Sequence, residues 1–174
     1  MFKLIKESVV DIPRRTYARD IFDDADTENP KLKPIVLDVI NNQLKEFEKL
    51  YPIKSYSLVG SSITKQYRND ADLDVNVLFD VAPEDREAVR LMLSHKLKDV
   101  NGKLIPGTQH PVNYYIITEP KVKETNDDMA DGVFDIKNNT WERKPKIYVF
   151  DPENYAKEFD KKVKEIDALE GELK

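Results

Sequence analysis

Cysteine is missing from all 174 residues of the sequence. That excludes disulfides, a thiolate zinc site and a cysteine nucleophile, and it suits a reducing cytoplasm. Long apolar runs are missing as well. Near the amino terminus Lys3, Lys6 and Glu7 break up the apolar residues that a secretion signal needs. No stretch approaches the ~20 apolar residues of a membrane span. A cytoplasmic protein with no membrane attachment is the expectation. Positive charge is also in short supply, since 28 Lys and Arg against 33 Asp and Glu leave a net charge of −5. A broad, sequence-independent nucleic-acid surface needs a basic footprint, so the composition allows a local basic groove at most. Nor is there an internal repeat or a low-complexity linker. The length suits a single domain over residues 1–174 with a sizeable core.

Two short stretches carry the chemistry. In the run Asp70-Ala71-Asp72-Leu73-Asp74-Val75-Asn76-Val77-Leu78-Phe79, Leu73, Val75, Val77 and Phe79 alternate with Asp72, Asp74 and Asn76. A period of two in a Val-rich run predicts a β-strand. Side chains two apart share a face, so Asp72 and Asp74 stand side by side while their neighbours enter the core. Two close carboxylates repel, and a hard divalent cation is the natural partner. Mg²⁺ typically takes one or two protein carboxylates and completes its shell with phosphate oxygens and water. Upstream, Tyr56-Ser57-Leu58-Val59 reads as a strand, and Gly60-Ser61-Ser62 as a tight turn before a helical turn over residues 63–67. Small residues with exposed amides and hydroxyls suit a phosphate.

Gly60-Ser61 followed after a spacer by Asp72-Leu73-Asp74 resembles the signature of the DNA polymerase β-like nucleotidyltransferase superfamily. The resemblance covers residues 34–118, with a helix before the first strand and another after the second. More faintly, the chain resembles nucleotidyltransferase-like proteins of tailed bacteriophages, which would place it in a host cytoplasm. The resemblance implies an α+β fold, a mixed and mostly antiparallel sheet flanked by helices. It implies metal-dependent transfer of an NMP group from an NTP to a hydroxyl acceptor, with release of pyrophosphate. Two Mg²⁺ or Mn²⁺ ions would sit with the nucleotide against Asp72 and Asp74, and Gly60, Ser61 and Ser62 would hold phosphates. Lys65 and Arg68, in the spacer, are candidates to neutralise the triphosphate, against the plainer reading of a solvated face. A third strand usually offers a third carboxylate; here Asn113 falls at that place. An asparagine carbonyl can ligate Mg²⁺, but it carries no charge and accepts no proton. The alternative is therefore an impaired nucleotide-binding or interaction protein on the same fold. The acceptor, whether an RNA end, a protein or a small molecule, is left unnamed.

The remaining segments read more plainly. Residues 20–28 are an acidic cluster, expected to be a solvated loop because the glycine and final glutamate of a calcium loop are absent. Val9-Val10-Asp11-Ile12 suggests a short strand ended by Pro13. From Pro34, the stripe Val36, Ile40, Leu44, Phe47, Tyr51 predicts a helix stopped by Pro52. A second helix runs from Pro83 to about Val100 on Val89, Leu93, Leu97 and Val100, with His95 on its surface. His110 precedes the β-rich run 112–117; it either compensates for Asn113 or is a loop residue with a hydrogen-bonded ring. Residues 121–131 are expected to be a surface loop, and 132–141 a hairpin. Asp135 on that hairpin is the second candidate for a third carboxylate. Trp141 belongs to the core or stacks a base, and Arg143-Lys144-Pro145-Lys146 is a basic knot suited to an acceptor phosphate. Residues 146–150 read as a last strand. A final helix, about 152–170, carries Tyr155, Phe159, Val163, Ile166 and Leu169 on one face, expected to pack across the domain or, if exposed, to meet a partner helix or a second copy.

Overall fold

The computed structural model describes residues 14–147 and 152–172. The strands expected at 9–12 and 146–150 fall largely outside these residues. The chain forms two compact units, one of residues 14–146 and one of residues 1–13 with 147–174.

In the larger unit, β1 (Phe22–Asp23) and β2 (Lys31–Leu32) form a small antiparallel ladder. Helix α1 (Pro34–Glu48) follows, with Pro34 in its first turn, where the missing N–H costs nothing. Val36, Ile40, Leu44 and Phe47 are buried at the expected spacing. Then come β3 (Ile53–Val59), a 3₁₀ turn (Ser61–Ile63), β4 (Leu73–Phe79) and a second 3₁₀ turn (Pro83–Asp85). Helix α2 (Arg86–Leu97) leads to β5 (Lys103–Leu104) and β6 (Pro111–Ile117). Helix α3 (Pro120–Met129) and the hairpin β7 (Val133–Asp135) and β8 (Thr140–Arg143) complete the unit. The sheet runs β5-β6-β4-β3-β7-β8. Only β4 and β6 pair in parallel among these neighbours, and α2 lies in the long crossover that such a pair requires. The fold is α+β on a mixed, mostly antiparallel sheet.

The pleat divides the molecule. Leu73, Val75, Val77 and Phe79 enter one core together with Leu58, Val112, Tyr114, Phe134 and the buried stripes of α1 and α2. Tyr56 and Tyr114 on that face donate their hydroxyls to Asn41 and Gln43 of α1. Asp72, Asp74 and Asn76 point to the other face.

Three local expectations change. Residues 120–129 are helical rather than a loop. Their charge hid the helix, because its one buried side chain is Lys123, ion-paired with Asp127 one turn on. The turn after Gly60 is a three-residue 3₁₀ segment rather than a helical turn over 63–67. The acidic segment is not simply solvated, since Phe22 and Ala25 within it belong to the core with Tyr17, Ala18, Ile21 and Leu32. Trp141 takes the packing role: its ring lies against Tyr17, Phe22 and Phe134, and its Nε1–H donates to the Pro30 carbonyl at 3.3 Å.

In the smaller unit, α4 (Pro152–Glu172) presents Phe159, Val163 and Ile166 at steps of four and three, all exposed.

Candidate active site

The site forms where β3 ends and β4 begins. Register pairs Val59 of β3 with Asp74 of β4, and Asp74 in turn with Asn113 of β6. Residues directly opposite across a ladder share a face, so β4 and β6 present Asp74 and Asn113 side by side, with Val59 of β3 next to them. Asp72 lies one residue before β4 and is exposed, while Asp74 is half-buried. Asn113 Nδ2 donates to Asp72 Oδ2 at 2.8 Å. The structure thus brings Asn113 to the first aspartate. Its amide donates there as a carboxylate could not, relieving some of the acidic repulsion.

Gly60 carries the turn over this row. Its φ is +88°, a region that L side chains rarely adopt, and a Cβ built on it would lie 2.9 Å from Asp74 Oδ2. The missing side chain is what lets the turn close on the carboxylate. Thr64 fastens the turn, its N–H and Oγ1–H both donating to the Ser61 carbonyl at 2.9 and 2.8 Å. Ser61 is exposed, whereas Ser62 is buried with its hydroxyl unpartnered among the described residues. Of the two hydroxyls, that of Ser61 is the one open to a phosphate.

Burial raises the Asp74 carboxyl above its ordinary range, the neighbouring charge of Asp72 raises it further, and a hydrogen bond from Tyr115 works in the opposite direction. Tyr115 donates its hydroxyl to Asp74 Oδ1 at 3.3 Å. Burial and then the Asp74 charge raise that hydroxyl in turn, keeping it a donor. Sequence reading passed over Tyr115, although alternation from Asn113 puts both on one face. Below Asp74 the face is closed by α3, whose Lys123–Asp127 pair reaches Asn76 at 3.5 Å.

The Lys65 ammonium lies 5.3 Å from the Tyr17 ring centre. Arg68 pairs with Asp70 at 3.1 Å. Asp135 stands opposite Ser57, two strands from β4, and accepts from the N–H and side chain of Asn138 at 3.0 and 2.5 Å. It therefore braces the hairpin turn rather than meeting Asp72. Arg143 donates to the Asp127 and Ala130 carbonyls at the end of α3. His110 is wholly buried, with Nδ1 at 2.7 Å from the Ala71 carbonyl and Nε2 at 3.0 Å from Asp20 Oδ2.

Among the described residues no three His, Cys, Asp or Glu side chains converge as a metal cage. Two adjacent carboxylates, mutually unfavourable and one of them half-buried, fit a hard cation that takes its other ligands from phosphate and water. No helix among the described residues is long and apolar enough to cross a membrane.

The glycine turn folds onto Asp74, the second aspartate of the Asp72-Leu73-Asp74 run, at adjoining strand ends. The chain belongs to the nucleotidyltransferase domain family, whose model matches residues 40–172. Nucleotidyl transfer, drawing on a nucleoside triphosphate, is the general activity of the domain. Searches of curated proteins and of solved structures each found no significant match.

Proposed function

We propose that this chain transfers an NMP group from a nucleoside triphosphate to a hydroxyl acceptor at the face bearing Asp72 and Asp74. The observation that carries the reading is the approach of the Gly60 turn to Asp74 Oδ2, within 2.9 Å of where a Cβ would stand. It supports a spot shared by polyphosphate and cation, since Ser61 follows Gly60 directly and Asp72 is on the same strand face as Asp74. The acceptor oxygen forms a bond to the α-phosphorus as the bond to the pyrophosphate oxygen breaks. Two divalent cations, Mg²⁺ or Mn²⁺, held by Asp72 and Asp74 would supply charge neutralisation and a more acidic attacking hydroxyl. Ser61 and the amides of residues 60–62 hold the β- and γ-phosphates. Lys65 and Arg68 are the nearest cations in sequence to counter the negative charge that develops. Tyr115 and Asn113 orient the two carboxylates through the hydrogen bonds they donate.

The test is Mg²⁺-dependent nucleotide binding, followed by pyrophosphate release with the four nucleoside triphosphates and mixed RNA, protein and small-molecule acceptors. Asp72→Ala and Asp74→Ala are expected to weaken binding at least tenfold, and Asp74→Asn to abolish release. Equal affinity in wild type and both alanine variants would reject the site. The neutral Asn113 favours a second reading, a nucleotide-binding protein without turnover. Metal-dependent binding with no pyrophosphate released from any acceptor would select it.

A further inference from the structure

Asp72 stands just outside the ladder, since the registered pairing of β4 with β6 begins at Leu73 and Val112. Asn113 holds its carboxylate, but the Asp72 backbone must be fixed from elsewhere. The preceding peptide, with its Ala71 carbonyl, lies level with the start of β6, and there the chain has Pro111, which has no N–H to donate. The His110 side chain supplies the donor instead. Its Nδ1 is 2.7 Å from the Ala71 oxygen, and because a carbonyl only accepts, Nδ1 carries the hydrogen. The other ring nitrogen faces Asp20 Oδ2 at 3.0 Å. Asp20 sits on a turn closed by the Ile21 and Phe22 amides on the Ala18 carbonyl (3.1 and 2.8 Å) and rooted by the fully buried Ala18 and Ile21. The wholly buried imidazole thus bonds through Nδ1 to the peptide before Asp72, and the Asp20 carboxylate lies within ion-pair distance of Nε2, which makes no hydrogen bond among the described residues. Asp20 lies upstream of residues 40–172, which the family model covers.

We propose that His110, braced by Asp20, is a positioning residue for the metal-binding carboxylate of Asp72. This rests on the reading of Asp72 and Asp74 as cation ligands. Outer partners that orient a ligand typically matter ten- to a hundredfold in metal affinity.

The experiment uses the full chain and Mn²⁺ as probe, with affinity read from paramagnetic broadening of the Gly60 and Asp74 amides. Thermal midpoints serve as the control for folding. His110→Leu, which cannot donate, is expected to bind Mn²⁺ about tenfold or more weakly. In His110→Asn the side-chain amide takes the place of Nδ1, and affinity should return to within about threefold of wild type. Asp20→Ala, on a partly exposed turn, should lose about threefold with its midpoint unchanged. In nitrogen spectra of wild type, where His95 is the other histidine, His110 Nδ1 should appear protonated. Wild-type affinity in His110→Leu or Asp20→Ala would overturn the proposal. So would a folded His110→Asn as weak as His110→Leu, or an unprotonated Nδ1. If Asp72→Ala binds Mn²⁺ as wild type does, the cation reading itself fails and takes this role with it. If Asp72→Ala is weak and His110→Leu is not, only the role of His110 fails.

Discussion

Gly60 and Asp74 show how one missing side chain and one charge divide stability from function. In Gly60→Ala the new methyl meets the Asp74 carboxylate, at a backbone angle that disfavours any L residue. A loss of about 1–2 kcal/mol is expected from the strained φ and the contact together, measured by urea unfolding, with nucleotide binding lost beyond that. Asp74→Asn should do the reverse for stability. A carboxyl raised in the folded state binds protons more readily there than in the unfolded chain, so stability falls as pH rises from the unfolded value through the raised one. At neutral pH the metal-free Asp74→Asn protein should therefore melt higher, by about 2 °C once water screens a half-exposed group. That gain should vanish at pH 3, where both states are protonated in wild type. The two aspartates were legible because alternation alone assigns a face. Tyr115 and the contact of Asn113 with Asp72 depend on the β4–β6 register, which no local pattern encodes.

Helix α3 is held as an element by polar rather than apolar contacts. Lys123 is buried against Asp127, and the Arg143 guanidinium gathers the Asp127 and Ala130 carbonyls at the helix end. Arg143→Ala is expected to cost about 1–2 kcal/mol, the range for hydrogen bonds from a charged donor to helix-end carbonyls. Hydrogen exchange should quicken over residues 124–130 while α1 stays protected. Uniform loss of protection would contradict the clamp. The contrast with α1 explains what could be read beforehand. Val36, Ile40, Leu44 and Phe47 announce a helix by their spacing, whereas α3 buries one lysine and so lacks the period that marks an amphipathic helix. Arg143, part of the basic knot suited to an acceptor phosphate, also fastens a neighbouring helix, a role that local sequence does not encode. The strands of the motif, dense in branched residues, needed no such tertiary information.

At the scale of the molecule, residues 14–33 complete the core from outside the span that the family model matches. Tyr17, Ile21, Phe22 and Leu32 are buried, and Phe22 stacks on Trp141 at the far end of the sheet, with ring centres 5.9 Å apart. At ~1.5–3 kcal/mol for each large apolar side chain, Ile21, Phe22 and Leu32 together contribute an amount comparable to a typical domain's net stability. A chain begun at residue 34 should lack a cooperative thermal transition; a sharp melt would show that this segment is dispensable. Short polar stretches and a single Trp concealed its role, since its partners lie 50 to more than a hundred positions away. The parallel pairing of β4 with β6 bears on kinetics. Asp72 and Asn113 are 41 positions apart, and no hairpin can bring them together, so a large loop must close around α2 before the two strands dock. In refolding, amides of 112–117 should then gain protection after those of α1. The protein would pass through a stage in which its paired aspartates are formed but lack the flanking strand, and nucleotide arriving at that stage would meet an unfinished cradle.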